Sequence, residues 1–430
     1  VQPSSASAAA RPSETTARPT HVRHYVLGLT VAAYMLTYMD RVVISSAVPA
    51  IQKEFGFSIV TMGWILGSFR WAYSAFQIPV AWFGDRYGPR RALTVIVLWW
   101  SVLTSATTLA WSAASMIAIR FLFGAGEAGA FPIATRSLSR WMLPSERGFA
   151  QGITHAGSRL GAALTPALVA VIIANFGWRT AFIAFGSIGL VWAAAWFFYY
   201  RDTPAEHPRA NAAEREMIAK AIGPRGSTVY KVPWKKILSS PQMWILATMY
   251  FCYSYPLGIY LDWFPKYLNA ERGFSLEKMG FYASLPLFAA VLGDLAGGWI
   301  SDILARYTGL RRARKTVAVT GFLIAGAGIL AACLTPNALV SVAWSCVAMF
   351  GLELTVGVAW AVPLDVGGDY AGSVSAVMNS FGNFGGAVST TASGYLVKYY
   401  GWTSTFLVMS FLAFVAAILF TRIDAGKKIC

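Results

Sequence analysis

Twelve continuous apolar runs divide this chain, at residues 24–48, 60–83, 91–110, 113–140, 147–175, 179–200, 241–268, 276–304, 313–334, 338–364, 371–399 and 402–423. A helix rising ~1.5 Å per residue needs about 20 such residues to cross the hydrocarbon core of a bilayer. None of the runs shows the alternation of a barrel strand. Of the 430 residues, 56% are hydrophobic and 13% charged, a balance no ordinary soluble fold requires. The fold class expected is an all-α polytopic membrane protein with 12 transmembrane helices.

The net charge of +16 would point to nucleic acid in a soluble protein, but here it follows the loops. Twenty-four Lys and Arg fall on the side of the N-terminus, including Arg86, Arg90 and Arg91, and only six on the other. The positive-inside rule places both termini and the 201–240 loop in the cytoplasm, with the bacterial inner membrane as the expected location. Cys252, Cys333, Cys346 and Cys430 have no metal-ligand spacing and imply no disulfide framework. No metal or organic cofactor is expected.

An internal repeat organises the spans. Gly177-Trp178-Arg179-Thr180-Ala181-Phe182 opens the sixth, and Gly401-Trp402-Thr403-Ser404-Thr405-Phe406 opens the twelfth. Asp85 ends the second span and Asp302 the eighth. Two pseudo-symmetric six-helix bundles with parallel topology follow. The domains expected are a disordered tail at 1–23, bundles at 24–200 and 241–423, a linker at 201–240 with a surface helix over 212–220, and a tail at 424–430.

Charges inside the spans are the functional candidates, because each costs roughly 2.5–3.5 kcal/mol at a helix centre on insertion scales. Asp40 and Arg41 adjoin in span one, within Tyr38-Met39-Asp40-Arg41. Arg120 and Glu127 share one face of span four about two turns apart, and Asp40 and Arg120 lie at similar depth, close enough to pair. The competing reading of this cluster is a fixed ion pair that locks helices together. Arg70 is too deep in span two to snorkel. Its planar fork suits a second anion contact, with pairing to an acid or stacking on Trp71 as the alternatives. Arg159 either lines a cavity or pairs with Glu353 across the halves. His155 reads as packing rather than a pH sensor, and Asp85, Asp294 and Asp302 as gating residues near the cytoplasmic rim. The intramembrane arginines all belong to the first half, opposed there only by Asp40 and Glu127, which predicts a cavity that attracts anions.

Several motifs, taken in order and on matching spans, resemble the major facilitator superfamily. They are Asp85-Arg86-Tyr87-Gly88 after span two, Tyr73-x-x-x-Gln77-Ile78-Pro79 within it, Arg120 to Glu127 with Phe131-Pro132 in span four, and Asn379-x-x-Gly382-Asn383 with Gly385-Gly386 in span eleven. The Ala at 81 and the Pro at 89 depart from the loop signature. With Tyr38-x-Asp40-Arg41, the set is similar to the anion:cation symporter branch, which carries sugar acids, sialic acid, glutamate and aromatic acids. The resemblance implies Asp40 and Glu127 as protonation sites, Arg41 as the carboxylate ligand and Arg120 as their ion-pair partner. It implies Tyr38, Tyr73, Ser158, Trp360 and Asn379 as pocket lining, and Arg86 joins the gating aspartates.

The function expected is proton-coupled symport of a small organic anion by alternating access, in a monomer. The substrate would be a sugar acid such as galactonate, a hexuronate or glucarate, or a dicarboxylate, with the proton as coupling ion. The rival is an organic anion/phosphate exchanger without proton coupling, or a carrier of an aromatic acid such as phthalate. An intramembrane enzyme would need a nucleophile with its base or a metal cluster, and four scattered histidines supply neither.

Overall fold

The computed structural model describes residues 18–143, 146–222, 233–367, 370–424 and 428–429. The first half contains α1 (Val22–Phe55), α2 (Ile59–Ala106), α3 (Ala113–Glu127), α4 (Ala130–Trp141), α5 (Arg147–Phe176) and α6 (Trp178–Tyr199). The linker holds α7 (Ala212–Ile222) and α8 (Trp234–Ser239). The second half comprises α9 (Pro241–Asp262), α10 (Phe264–Ala270), α11 (Leu276–Thr308), α12 (Leu310–Leu334), α13 (Ala338–Leu354), α14 (Val356–Gly367) and α15 (Ala371–Arg422).

These helices make twelve passages. α2 turns back at Gly88 and α15 at Gly401, so each carries two spans, whereas α3–α4, α9–α10 and α13–α14 are single spans broken in two. Nine helical stretches among the described residues are long and apolar enough to cross a membrane, and one of them, Ser373–Arg422, contains two spans. Exposed Val95, Leu98, Trp99 and Val102 on α2, and Leu292, Leu295 and Trp299 on α11, recur at helical spacing. Apolar stripes of this kind would drive association in water, and lipid is the solvent that covers them.

The repeat is written in the backbone. Among the described residues six glycines have positive φ, and they fall into three pairs, each partner 217 to 224 residues downstream: Gly56 with Gly273, Gly88 with Gly309, and Gly177 with Gly401. Each closes a tight reversal in a region of φ that a Cβ disfavours. The polar caps repeat as well. Ser58 and Ser275 cap α2 and α11, while Ser112 and Asn337 cap α3 and α13.

Within the first half α1 packs on α5, and α2 on α3 and α6; within the second, α9 packs on α15 and α11 on α13. Two helix pairs form the seam between halves, α5 with α11 and α2 with α15. At the latter, a Cβ on Gly67 would collide with the Thr391 side chain, so the small residue permits the approach. The Trp71 indole donates to Thr391 Oγ1 across the same seam (3.1 Å).

The linker helix forms, but it is not merely a surface feature. α1 has no side-chain cap of its own, and Glu214 of α7, fully buried, supplies one. Its carboxylate accepts from the backbone N–H groups of Val22 and Arg23 (both 3.2 Å), from Thr20 Oγ1 (2.5 Å) and from Arg23 Nη1 (3.3 Å). Residues 18–23, expected to be tail, are therefore anchored, whereas 1–17 lie outside the described residues. An acid at a helix N-terminus satisfies orphan donors and complements the helix dipole. Glu214→Ala is expected to lower stability by about 1–2 kcal/mol, read as a lower melting temperature in detergent, with Glu214→Gln retaining part of the loss.

Candidate functional site

Two of the three broken spans fix the position of two buried acids. Glu127 is the last residue of α3, and the chain resumes as α4 at Ala130. In the second half Glu353 lies two residues before the break at Thr355, between α13 and α14. Both acids are fully buried. Discontinuous spans that present charged groups at midplane are a recurrent way of building ion and solute sites.

Glu127 faces α1. Arg41 Nε donates to Glu127 Oε1 at 2.5 Å, and four aromatic rings surround the guanidinium: Tyr73 at 4.5 Å, Tyr38 at 5.0 Å, Phe69 at 5.3 Å and Phe131 at 5.4 Å. The rings favour the cation and exclude water. Arg41 Nη2 and Glu127 Oε2 are both buried without a hydrogen-bond partner. The arginine fork is thus half used.

Asp40, one residue earlier, points away from the cavity described below. It is 1% exposed, and neither carboxylate oxygen has a hydrogen-bond partner. Trp100 Nε1 and Thr104 Oγ1, which face it from α2, are equally unpartnered. The expected contact between Asp40 and Arg120 is not made. Arg120 lies against Phe69 (5.0 Å) and Phe123 (4.8 Å), and its field reaches Asp40, Glu127 and Asp262 without an ion pair to any of them.

Two further pairs cross between the halves. Arg70 Nε donates to Asp262 Oδ2 at 2.6 Å, and the same oxygen accepts from Thr390 Oγ1 at 2.5 Å. Arg159 Nη2 lies 2.9 Å from Glu353 Oε2, off the hydrogen-bond axis, while Glu353 Oε1 accepts from Tyr253 OH at 2.8 Å. Arg159 Nη1 also donates to Tyr38 OH at 3.4 Å. These pairs correct the expected arginine excess. The first half does hold the cations, but Asp262 and Glu353 of the second half oppose two of them. Asp262 was not legible as a site residue, although it is the one acid in its span.

Between the halves lies a cavity of about 100 Å³ whose lining includes Tyr38, Arg41, Arg70, Arg159, Asp262 and Asn379. Tyr73 is buried behind Arg41 and does not line it; its ring supports the guanidinium. Trp360 is also set back, donating from Nε1 to the OH of Tyr250, a lining residue (2.8 Å). Ser158 is 1% exposed and donates to the carbonyl of His155 (2.7 Å), so its hydroxyl is consumed within α5. His155 packs edge-on against Tyr34 and stacks on Phe131, as a packing residue would. Asp294, expected at the rim, lies mid-helix in α11, where it interacts electrostatically with Arg159 and Glu353. Arg86 is exposed, 5.8 Å from the Tyr87 ring. The side chains of Asp85 and Asp302 lie outside the described residues.

Residues 30–390 match the family model described as Major Facilitator Superfamily. The chain is 39% identical over 399 residues to the probable sulfoacetate transporter SauU of Cupriavidus necator, covering 92% of each protein. It is 33% identical over 408 residues to the hexuronate transporter of Bacillus subtilis, covering 92% of this chain and 94% of that one. Among solved structures, a bacterial homologue of the human lysosomal transporter Spinster, in an inward-facing and occupied conformation, superposes with a TM-score of 0.77. That match spans 94% of this chain and 97% of the other at 19% identity, a likeness of fold.

The Arg159–Glu353 pair allows a direct test of its energetics. Removing one partner of a buried pair leaves an uncompensated charge and costs about 3–5 kcal/mol, whereas replacing both with apolar groups is far less damaging. Arg159→Met and Glu353→Met are each expected to lower the melting temperature strongly, and the double variant to recover most of the loss.

Proposed function

The chain belongs to the Major Facilitator Superfamily, and we propose that within it this transporter is a proton-coupled symporter for a small organic anion. The observation that carries the reading is the half-used fork of Arg41, whose Nη2 has no partner while its Nε is held by Glu127 at the edge of a cavity. A carboxylate presents two oxygens to such a fork and would compete with Glu127 for it. Protonation of Glu127 removes the competitor, so proton and anion bind together. Asp40 is the second proton site, because a carboxyl group buried without a partner is held at least cost as the neutral acid. Arg120, unpaired between Asp40, Glu127 and Asp262, offsets whichever of them is charged.

With the charges balanced, the halves rock about their seam and expose the cavity on the other side. Loop charges orient both termini to the cytoplasm of a bacterial inner membrane, where inward proton movement drives accumulation. If more than one proton accompanies each monoanion, the membrane potential adds ~2.3 kcal/mol per net charge per 100 mV. Sulfoacetate and hexuronate, the solutes named for two relatives, are both small organic anions, which supports the substrate class. Tyr38 and Asn379, both on the cavity wall, read the polar groups of the solute.

In liposomes with an imposed pH gradient, Glu127→Gln is expected to abolish pH-driven accumulation while retaining exchange of internal for external solute. Equal loss of both activities would make the residue structural. Wild-type protein that moves solute only against internal solute would be an exchanger.

A further inference from the structure

We propose that the solute carries two anionic groups, one seated on Arg41 and the other on Arg70, each arginine being held in the empty protein by a carboxylate that the solute replaces. The inference rests on the transport reading above and names the substrate class of the same cavity.

Arg41 and Arg70 project from different helices into one cavity, and each is engaged through Nε alone in its ion pair. The partner of Arg70 is itself on the cavity wall. Asp262 lines the space, and the side chains of Arg70 and Asp262 are 17% and 13% exposed. The pair is therefore open to exchange with an incoming anion. Asp262 Oδ2 also keeps a second hydrogen bond, from Thr390, so that acid is not left bare when the guanidinium turns to another ligand.

The opposite face of Arg70 is shaped by Gly386, where a Cβ would come within 2.9 Å of Nη1. A glycine there leaves room for the guanidinium against α15. The Arg159–Glu353 pair supplies the contrast. Of the three paired acids, Glu353 alone is both buried off the cavity wall and held by a second donor, Tyr253, so it is a fixed strut rather than an exchangeable one. A one-headed acid would engage Arg41 and leave Arg70 on Asp262. A two-headed acid engages both, joining α1 and α2 of the first half through one solute and releasing α9 of the second from its ion pair.

The test is binding to the purified full chain in detergent, by calorimetry, with acids matched in length: malonate against propionate, succinate against butyrate, and 3-sulfopropionate against 1-propanesulfonate. At least one two-headed acid is expected to bind about 10-fold or more tightly than its match, a difference typical of an added charge-assisted fork contact. Arg70→Gln should erase that preference while changing one-headed binding by less than about 3-fold. Asp262→Asn, which removes the competitor and keeps the arginine, should preserve or strengthen it. If Arg70→Gln does not fold, the Arg70→Gln/Asp262→Asn double variant, which buries no lone charge, takes its place.

The proposal is overturned if no pair shows the preference, if the preference survives loss of Arg70, or if Asp262→Asn destroys two-headed binding. Binding is read without a gradient. A chain that binds two-headed acids but never accumulates them would therefore refute the transport reading alone. Proton-driven accumulation of one-headed acids without preference would refute this one alone.

Discussion

An unpaired guanidinium is costly in the core of a bilayer, and three of the intramembrane arginines are neutralised by acids from other helices. Arg41 on α1 meets Glu127 on α3, Arg70 on α2 meets Asp262 on α9, and Arg159 on α5 meets Glu353 on α13. The first pair holds one half together. The other two join the halves beside the cavity. Since an isolated charge is expensive in this medium, each pair is a constraint on where its helices can be. Under the symport proposed above, a solute or proton that breaks a pair would shift the balance between helix arrangements. That gives the site its leverage, since chemistry at one side chain is felt by whole helices.

The repeat explains why so few residues are needed. The three glycine pairs reverse the chain at matching places, and the breaks after Glu127 and Glu353 recur at corresponding points of spans four and ten. Each half thus delivers one fully buried acid to midplane at a helix interruption. The halves have diverged in what meets that acid. In the first it is an arginine of the same half, open to the cavity, and in the second an arginine of the other half with a tyrosine behind it.

Fold class was legible because apolar length and repeat spacing are local properties that the bilayer enforces. Asp40, Arg41, Arg120 and Glu127 stood out for the same reason, as charges where none are cheap. What was not legible is pairing. Which acid meets Arg70 depends on how α2 lies against α9, nearly 200 residues away, and Asp262 near the end of a tyrosine-rich span carries no motif to announce it. The Arg159–Glu353 alternative was legible as a possibility, yet helix depth alone could not decide it. Ser158 failed in a different way, since its hydroxyl bonds to its own helix, a rotamer choice that sequence does not show. Asp294 was read as rim, yet α11 runs on to Thr308, which leaves that residue mid-helix.

The anchoring of α7 by Glu214 alters the mechanics of the joint. The forty residues from 201 to 240 look like a slack tether, but α7 is fastened to the start of α1 and travels with the first half. The covalent path from α7 to α8 is then the run from Ile222 to Trp234. Fully extended at ~3.3–3.6 Å per residue, it reaches about 40 Å. That contour length bounds the distance between the ends of α7 and α8, and with it how far the second half can stand from the first on the face where the linker lies.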